Sequence, residues 1–489
     1  MSRLLVSAAH KSSGKTTVSL GLCAALRERG HAVQPFKKGP DYIDPMWLSA
    51  AAGRACRNLD PYIQGEAGLA LFFRRHQRPG EFALIEGNKG LYDGLDADGG
   101  DSSAALAKLL RAPVLLVVDC SGMTRGVAPL LLGYRQFDPA VTFAGVVLNK
   151  VSGTRHEAKL RAAVERHTDL PVLGAVQRSA ELVIGERHLG LVPTHETQAA
   201  DTRIVAIARA IAAQVDLDRV AAAAEVAPAL PDGPAVVATG GVARSGRVGV
   251  AMDAAFRFYY PEDLEALEAE GFAIVPFDTT TDSRLPEGLD GLFLGGGFPE
   301  TQMEALAANA ELRADIRAAA AAGLPIYAEC GGMMYLARSL TWQGVTLPMV
   351  GALPADAVMH DRPQGRGYVT VRETAAFPWP GAQPGGSLRG HEFHYASLEN
   401  IAPEVTYAYE VTRGHGIDGR RDGIVWGNIL AAFTHRRGVG ADAWPRRFAA
   451  FLRARSENRR HPSDAAIVRP HQAAGTTSHN HFQEFRCHV

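Results

Sequence analysis

The sequence predicts an α/β protein of two units, each built on a largely parallel sheet. Short apolar runs alternate with helix-period segments, the pattern of βαβ construction. Each run meets glycine or polar residues at its C-terminal end, where open α/β sheets bind ligands. At 489 residues the chain exceeds one ordinary core, and "EVAPALPDGPAVVATGGVARSGR" reads as a linker inside it.

In chain order, "RLLVSAA" is a buried strand. It leads into "TTVSLGLCAALRERG", where Val18, Leu22 and Leu26 share a helical face and Gly30 stops the helix. A second strand is expected before "GPDYIDP", and further strands at "FALIEG", "PVLLVVD" and "FAGVVLNKV". A helical stretch around 197–225 precedes the linker, which ends near residue 246. The second unit opens with strand "RVGVAMD", helix "PEDLEALEAEG" and strand "FAIVPF". It continues through "GLFLGGGFPE", helix "ELRADIRAAAAAG" and strand "PIYAECGG", with "MMYLARSL" as a following helix. After 365 shorter β-like pieces take over: "GYVTVRET", "GHEFHYASL", "TYAYEVTRG" and "GIVWGNILAAFTH". From about 456 the chain is rich in Arg, His, Ser and Asn, and is expected to be disordered. The divisions are therefore 1–195, 196–246, 247–440 and 441–489, the last a terminal helix and tail.

The bulk numbers narrow the function. Hydrophobic residues make up 46% and charged residues 21%, an ordinary globular balance. A net charge of −1 gives no basic excess for nucleic acid or an anionic membrane. The alanine-rich helices are broken by charges, so no membrane span is expected. Five scattered cysteines (Cys23, Cys56, Cys120, Cys330 and Cys487) read as reduced thiols of a cytoplasmic protein.

Two sites stand out. Ala9, Gly14, Lys15 and Thr16 have P-loop spacing between a strand and a helix, with Thr17 following. In that setting backbone N–H groups surround phosphates, Lys15 reaches the outer ones and Thr16 ligates Mg²⁺. Glu86 and Asp41 are the candidate carboxylates for that ion, and Asp119 is either a third or a structural cap. Asn149, before Lys150, stands where P-loop proteins read the base. "PFKKGPDYIDP" is either a solvated charged loop or an anion-substrate site, with Lys37 and Lys38 offsetting negative charge.

The second site is "YAECGGMMYL". Cys330 lies at a strand–turn–helix elbow that presents a nucleophile near a helix N-terminus, where the dipole favours thiolate. Gly331, with Gly296 or Gly297 from the other glycine loop, offers N–H groups for an oxyanion hole. The alternative is a buried structural thiol. Of the downstream histidines His360, His391, His394 and His435, the last ends a strand and is best placed as base. His391 and His394 read as packing or substrate-loop groups.

Together with "EGNKGLYDG", "VVDCSGMTRG", "GVVLNKVSGTRHE", "ERHLGLVP", "FRFYYPEDLEALE", "RGHEFHY" and "GNILAAFTH", these residues resemble the cobyrinic or hydrogenobyrinic acid a,c-diamide synthases of corrin biosynthesis. The likeness covers nearly all of the chain before the tail. It implies a dethiobiotin-synthetase-like P-loop domain joined to a class I glutamine amidotransferase domain, acting as a carbon–nitrogen ligase. It implies ATP, L-glutamine and Mg²⁺, with Cys330 as nucleophile, His435 as its partner, and corrinoid contacts around Asp41, Tyr42, Asp44 and Asp93. The expected partner is a small corrinoid, and a homodimer is the assembly the resemblance admits.

Two departures bear on this. Many amidotransferases carry a glutamate two residues beyond the histidine, where this chain has Arg437, so the resemblance supports a Cys–His pair. His10 stands at the extra-lysine position of partition ATPases, against that branch. The alternatives are a cobyric acid synthase or related P-loop amidotransferase, and a nucleotide-switch or partition ATPase that hydrolyses no glutamine.

Overall fold

The computed structural model describes residues 2–187, 190, 191, 193, 194, 200–231, 245–439 and 444–460. Most of the expected linker (232–244) and the segment 461–489 lie outside the described residues.

The first unit is a seven-stranded sheet in the order 57–59, 33–38, 82–86, 2–8, 114–119, 143–151, 172–177. Every pairing in it is parallel. Alternate side chains of Ser2–Ala8 enter two different cores. Leu4 and Val6 pack with helix Lys15–Glu28, whereas Leu5 packs under Phe36, Phe73 and Leu131 on the other face. The helical stretch near 197–225 is two helices, Ala200–Gln214 and Leu217–Glu225, the second capped by the Asp216 side chain on Arg219 N.

In the second unit nine strands form one sheet in the order 272–277, 246–251, 291–294, 326–329, 429–432, 421–426, 406–413, 365–373, 387–394. The first five pair parallel and the rest antiparallel. A separate four-stranded sheet joins 345–348, 339–342, 356–359 and 396–399. The helix expected over "MMYLARSL" ends at Leu336, and its last residues begin strand Ser339–Trp342. Helix Trp444–Arg460 extends past the point where the tail was expected to start, and Ser456 Oγ donates to Asp290 at 2.6 Å.

The units meet along strand Gly365–Glu373 and helix Pro61–His76. Tyr368 donates to Asp60 at 3.1 Å, Tyr62 bonds Thr370 at 2.7 Å, and Arg57 pairs with Glu265.

Candidate active site

Gly14 holds φ at +85° at the start of helix Lys15–Glu28, and a Cβ there would lie 2.1 Å from Asn149 Nδ2. Asn149 in turn donates to Ser13 O at 2.8 Å. It therefore buttresses the loop from within and also faces the adjoining cavity. Thr16 donates to Glu86 Oε1 at 2.7 Å, and Lys15 lies 3.9 Å from the same oxygen. Glu86 is fully buried and its Oε2 has no hydrogen-bond partner. Burial and the neighbouring Lys37 lower the pKa of Lys15. Thr17 donates to Leu182 O at 3.4 Å, and Ala9 accepts from Tyr134.

Lys37 and Lys38 are not solvated: both end strand Val33–Lys38 and are almost wholly buried. Lys37 Nζ pairs with Asp44 at 2.5 Å, Glu86 at 3.0 Å and Asp41 at 3.8 Å. Burial opposes its charge, but these three carboxylates overcome that and raise its pKa. Asp41 accepts from the N–H groups of Ile43 and Asp44, opening helix Ile43–Ala52. Burial and Asp44 raise the pKa of Asp41; burial works against Asp44 as well, but Lys37 keeps it low. Lys38 faces Asp101 at 3.9 Å. Asp93 accepts from Gly90 N at 2.9 Å; neither Asp93 nor Lys38 lines the cavity described below. Asp119 caps Ser121 N and pairs with Lys150 at 2.7 Å, the role of a structural cap.

Cys330 sits at φ +47°, ψ −103°, between strand Ile326–Glu329 and the six-residue helix Gly331–Leu336. A non-glycine residue held there stores about 1–3 kcal/mol of backbone strain, a mark of functional elbows. Its N–H donates to Ala432 O at 2.7 Å, fixing the elbow beside strand Ile429–Ala432. Two glycine loops pack around it. A Cβ on Gly332 would fall 2.2 Å from Leu294 O, and one on Gly331 would fall 3.1 Å from Gly297 N. Gly296 faces the His435 ring, and Gly297 pairs with Phe256.

His435 lies beside Cys330 and hydrogen-bonds Glu329 Oε2 through Nδ1 at 3.1 Å. Burial alone would lower its pKa, but the neighbouring Cys330 and Glu329 raise it to about 10. Glu329 Oε1 takes donors from Tyr327 and from Arg436 N, so the carboxylate is locked in place. Asp422 fixes the approach to the ring by accepting from Phe433 N, Thr434 N and Thr434 Oγ1. His391 exchanges two backbone hydrogen bonds with His435 and stacks on its ring at 4.9 Å. His394 stacks on Phe433, and His360 bonds Ser397.

The sequence reading missed Glu329, Asp422 and the contacts of Tyr42. Glu329 had a signal: a carboxylate closing a buried apolar strand needs a partner. Tyr42 had none, because its hydroxyl crosses between units to lie 3.4 Å from His435 Nδ1. A cavity of about 900 Å³ follows from this juxtaposition. Lys15 and Thr16 line it at one end, Asp41, Tyr42 and Asp44 in the middle, and His435 at the other.

Residues 5–191 match the CobQ/CobB/MinD/ParA nucleotide binding domain, and 247–438 match the CobB/CobQ-like glutamine amidotransferase domain. A cobyrinate a,c-diamide synthase of Magnetococcus marinus is 49% identical over 93% of this chain and 97% of its own. Proteins of the same name from Methanosarcina acetivorans and Listeria monocytogenes are 39% and 38% identical, each over 89% of this chain and 92% and 96% of theirs. A nucleotide-binding half and a glutamine amidotransferase half, matched along nearly the full length of these relatives, make the chain a member of the cobyrinate a,c-diamide synthase family.

Proposed function

We propose that this chain amidates the a and c side-chain carboxylates of cobyrinic or hydrogenobyrinic acid, consuming ATP and taking nitrogen from glutamine. The observation that carries the reading is the shared cavity: phosphate loop and His435 open onto one space. Cys330 attacks the glutamine carboxamide to give a γ-glutamyl thioester and ammonia. The charged His435 ring beside Cys330 supplies the proton that the leaving nitrogen needs. The N–H groups of Gly331 and Gly297, with Gly296 beside them, suit the oxyanion. At the other end a substrate carboxylate oxygen attacks the γ-phosphorus, releasing ADP and leaving an acyl phosphate. Ammonia then adds to the acyl carbon and phosphate departs, leaving the amide.

Thr16, Glu86 and Asp41 fit a divalent cation, because the unpartnered Glu86 Oε2 is a buried anion atom needing positive charge. Among the described residues no group of three His, Cys, Asp or Glu side chains is arranged for a metal, which suits an ion that arrives on phosphates. Bound there, Mg²⁺ would neutralise phosphate charge. Lys11, Lys89, Lys150, Arg178 and Arg366 give the cavity a cationic lining suited to a ring bearing many carboxylates. The four described cysteines are free thiols, in keeping with a cytoplasmic setting, and no described helix is long and apolar enough to cross a membrane.

Mass spectrometry after incubation of each ring with ATP and glutamine tests the reading, with a doubly amidated product expected. Cys330→Ser should abolish glutamine-dependent amidation and leave the ammonium-dependent reaction within about twofold, since serine keeps the shape but is a far weaker nucleophile. Loss of both activities in a folded variant would mean that Cys330 serves the synthetase chemistry instead.

A further inference from the structure

Arg437 occupies the position at which many amidotransferases orient their histidine with glutamate, and here that task falls to Glu329. Arg437 is fully buried and turns away from the ring toward the other unit. Its Nη2 donates to Asn58 O at 3.0 Å and pairs with Glu262, while the guanidinium lies over Tyr260 at 4.6 Å. Its Nε and Nη1 have no hydrogen-bond partner, so local satisfaction does not explain its place. The reach to Asn58 does.

Asn58 belongs to edge strand Arg57–Leu59 and is itself buried. Its Nδ2 donates to Gly39 O at 2.8 Å and Asp41 O at 2.7 Å, clamping the loop that carries Asp41, Tyr42 and Asp44. That loop faces Lys15, Lys37 and Glu86 at the phosphate end of the cavity. It also delivers the Tyr42 hydroxyl to within 3.4 Å of His435 Nδ1. Arg57 adds a parallel strut, reaching Glu262 at 3.8 Å, the same carboxylate that holds Arg437. From His435 the path is covalent for two residues, then runs by hydrogen bonds through Asn58 to the loop.

We infer that Arg437 is a positioning residue that couples the glutaminase to the nucleotide and acceptor site, acting through Asn58 on the 39–44 loop. The inference rests on the amidation reading above. Binding at Asp41, Asp44 and Lys37 must rearrange their ion pairs, because incoming phosphates and carboxylates compete for the same lysine. The clamp ties that change to the segment bearing His435, and Tyr42 presents it directly to the ring. Glutamine is thereby hydrolysed fastest when ATP and acceptor are in place.

The test compares glutamine hydrolysis with and without ATP and cobyrinic acid, alongside amide formed per glutamine consumed. Removing the Arg437 charge alone would strand Glu262, so the first variant is the pair Arg437→Gln with Glu262→Gln. The second, Asn58→Ala, leaves Arg437 and its ion pair untouched. Wild-type protein should show at least a tenfold stimulation and close to one amide per glutamine. Both variants should keep unstimulated hydrolysis, lose most of the stimulation, and waste glutamine. Wild-type stimulation and stoichiometry in both folded variants would overturn the coupling role, as would a wild-type enzyme that amidates without any stimulation. Absence of amidation by the wild type would instead overturn the functional reading, and the coupling with it.

Discussion

Glu329 Oε2 accepts from His435 Nδ1, while Oε1 holds Tyr327 and Arg436 N, so glutamine at this position keeps the shape and removes the charge. We expect Glu329→Gln to lower glutaminase kcat/KM by about 10²-fold, the scale of a mispositioned acid–base group, with ammonium-dependent amidation unaffected. The pH profile separates this from a packing defect. With His435 raised to about 10, wild-type glutaminase should hold through neutral pH and fall as pH passes about 10. The charged ring's contribution to stability has the same sign: complete below about 6.5 and lost as pH rises through about 10. In Glu329→Gln the alkaline limb should move to lower pH; an unmoved limb would assign Glu329 a structural role only. The strand–turn–helix settings of Lys15 and Cys330 were legible because each is a local pattern, and His435 was legible only as the end of an apolar run. Glu329 was not, because its function depends on a partner 106 residues away.

At the scale of elements, the elbow depends on glycines that let two loops touch. Gly332→Ala would set a Cβ 2.2 Å from Leu294 O and 2.7 Å from Leu294 C, both backbone atoms that cannot rotate aside. Overpacking of this kind costs about 1–3 kcal/mol. We expect a lowered Tm and loss of glutaminase, with phosphate-loop function preserved in protein that remains folded; unchanged Tm and glutaminase would show that the loops do not need this contact. The parallel strands were readable from composition, since strands buried on both faces are continuous apolar runs. The four-stranded sheet was not, because Ser339–Trp342 and Val345–Pro348 are half exposed and carry no such run. Lys37 and Lys38 were ambiguous for the opposite reason. Their sequence admits either a solvated loop or an anion site, and only the structure shows that Asp41, Asp44, Glu86 and Asp101 neutralise them inside the fold.

Across the whole molecule, what the sequence could not express is the contact between units. Tyr42 stacks on Phe258 at 5.2 Å, with Tyr260, His391 and His435 within 4.5–5.6 Å. These residues lie up to 393 positions apart, and only the packed pair of sheets brings them together. On the proposed mechanism, ammonia released near His435 would enter the cavity past His391, whose pKa burial and His435 hold down. Such a ring cannot protonate ammonia into the unreactive ammonium ion. The central claim is that one shared cavity serves both reactions. It is tested most directly by supplying glutamine labelled with ¹⁵N in its amide together with excess unlabelled ammonium at neutral pH, and measuring the label in the product. The account predicts that both new amides carry the glutamine nitrogen almost undiluted. Label diluted to the proportion of the mixed ammonium pool would show that ammonia leaves the protein before it reacts, and would contradict it.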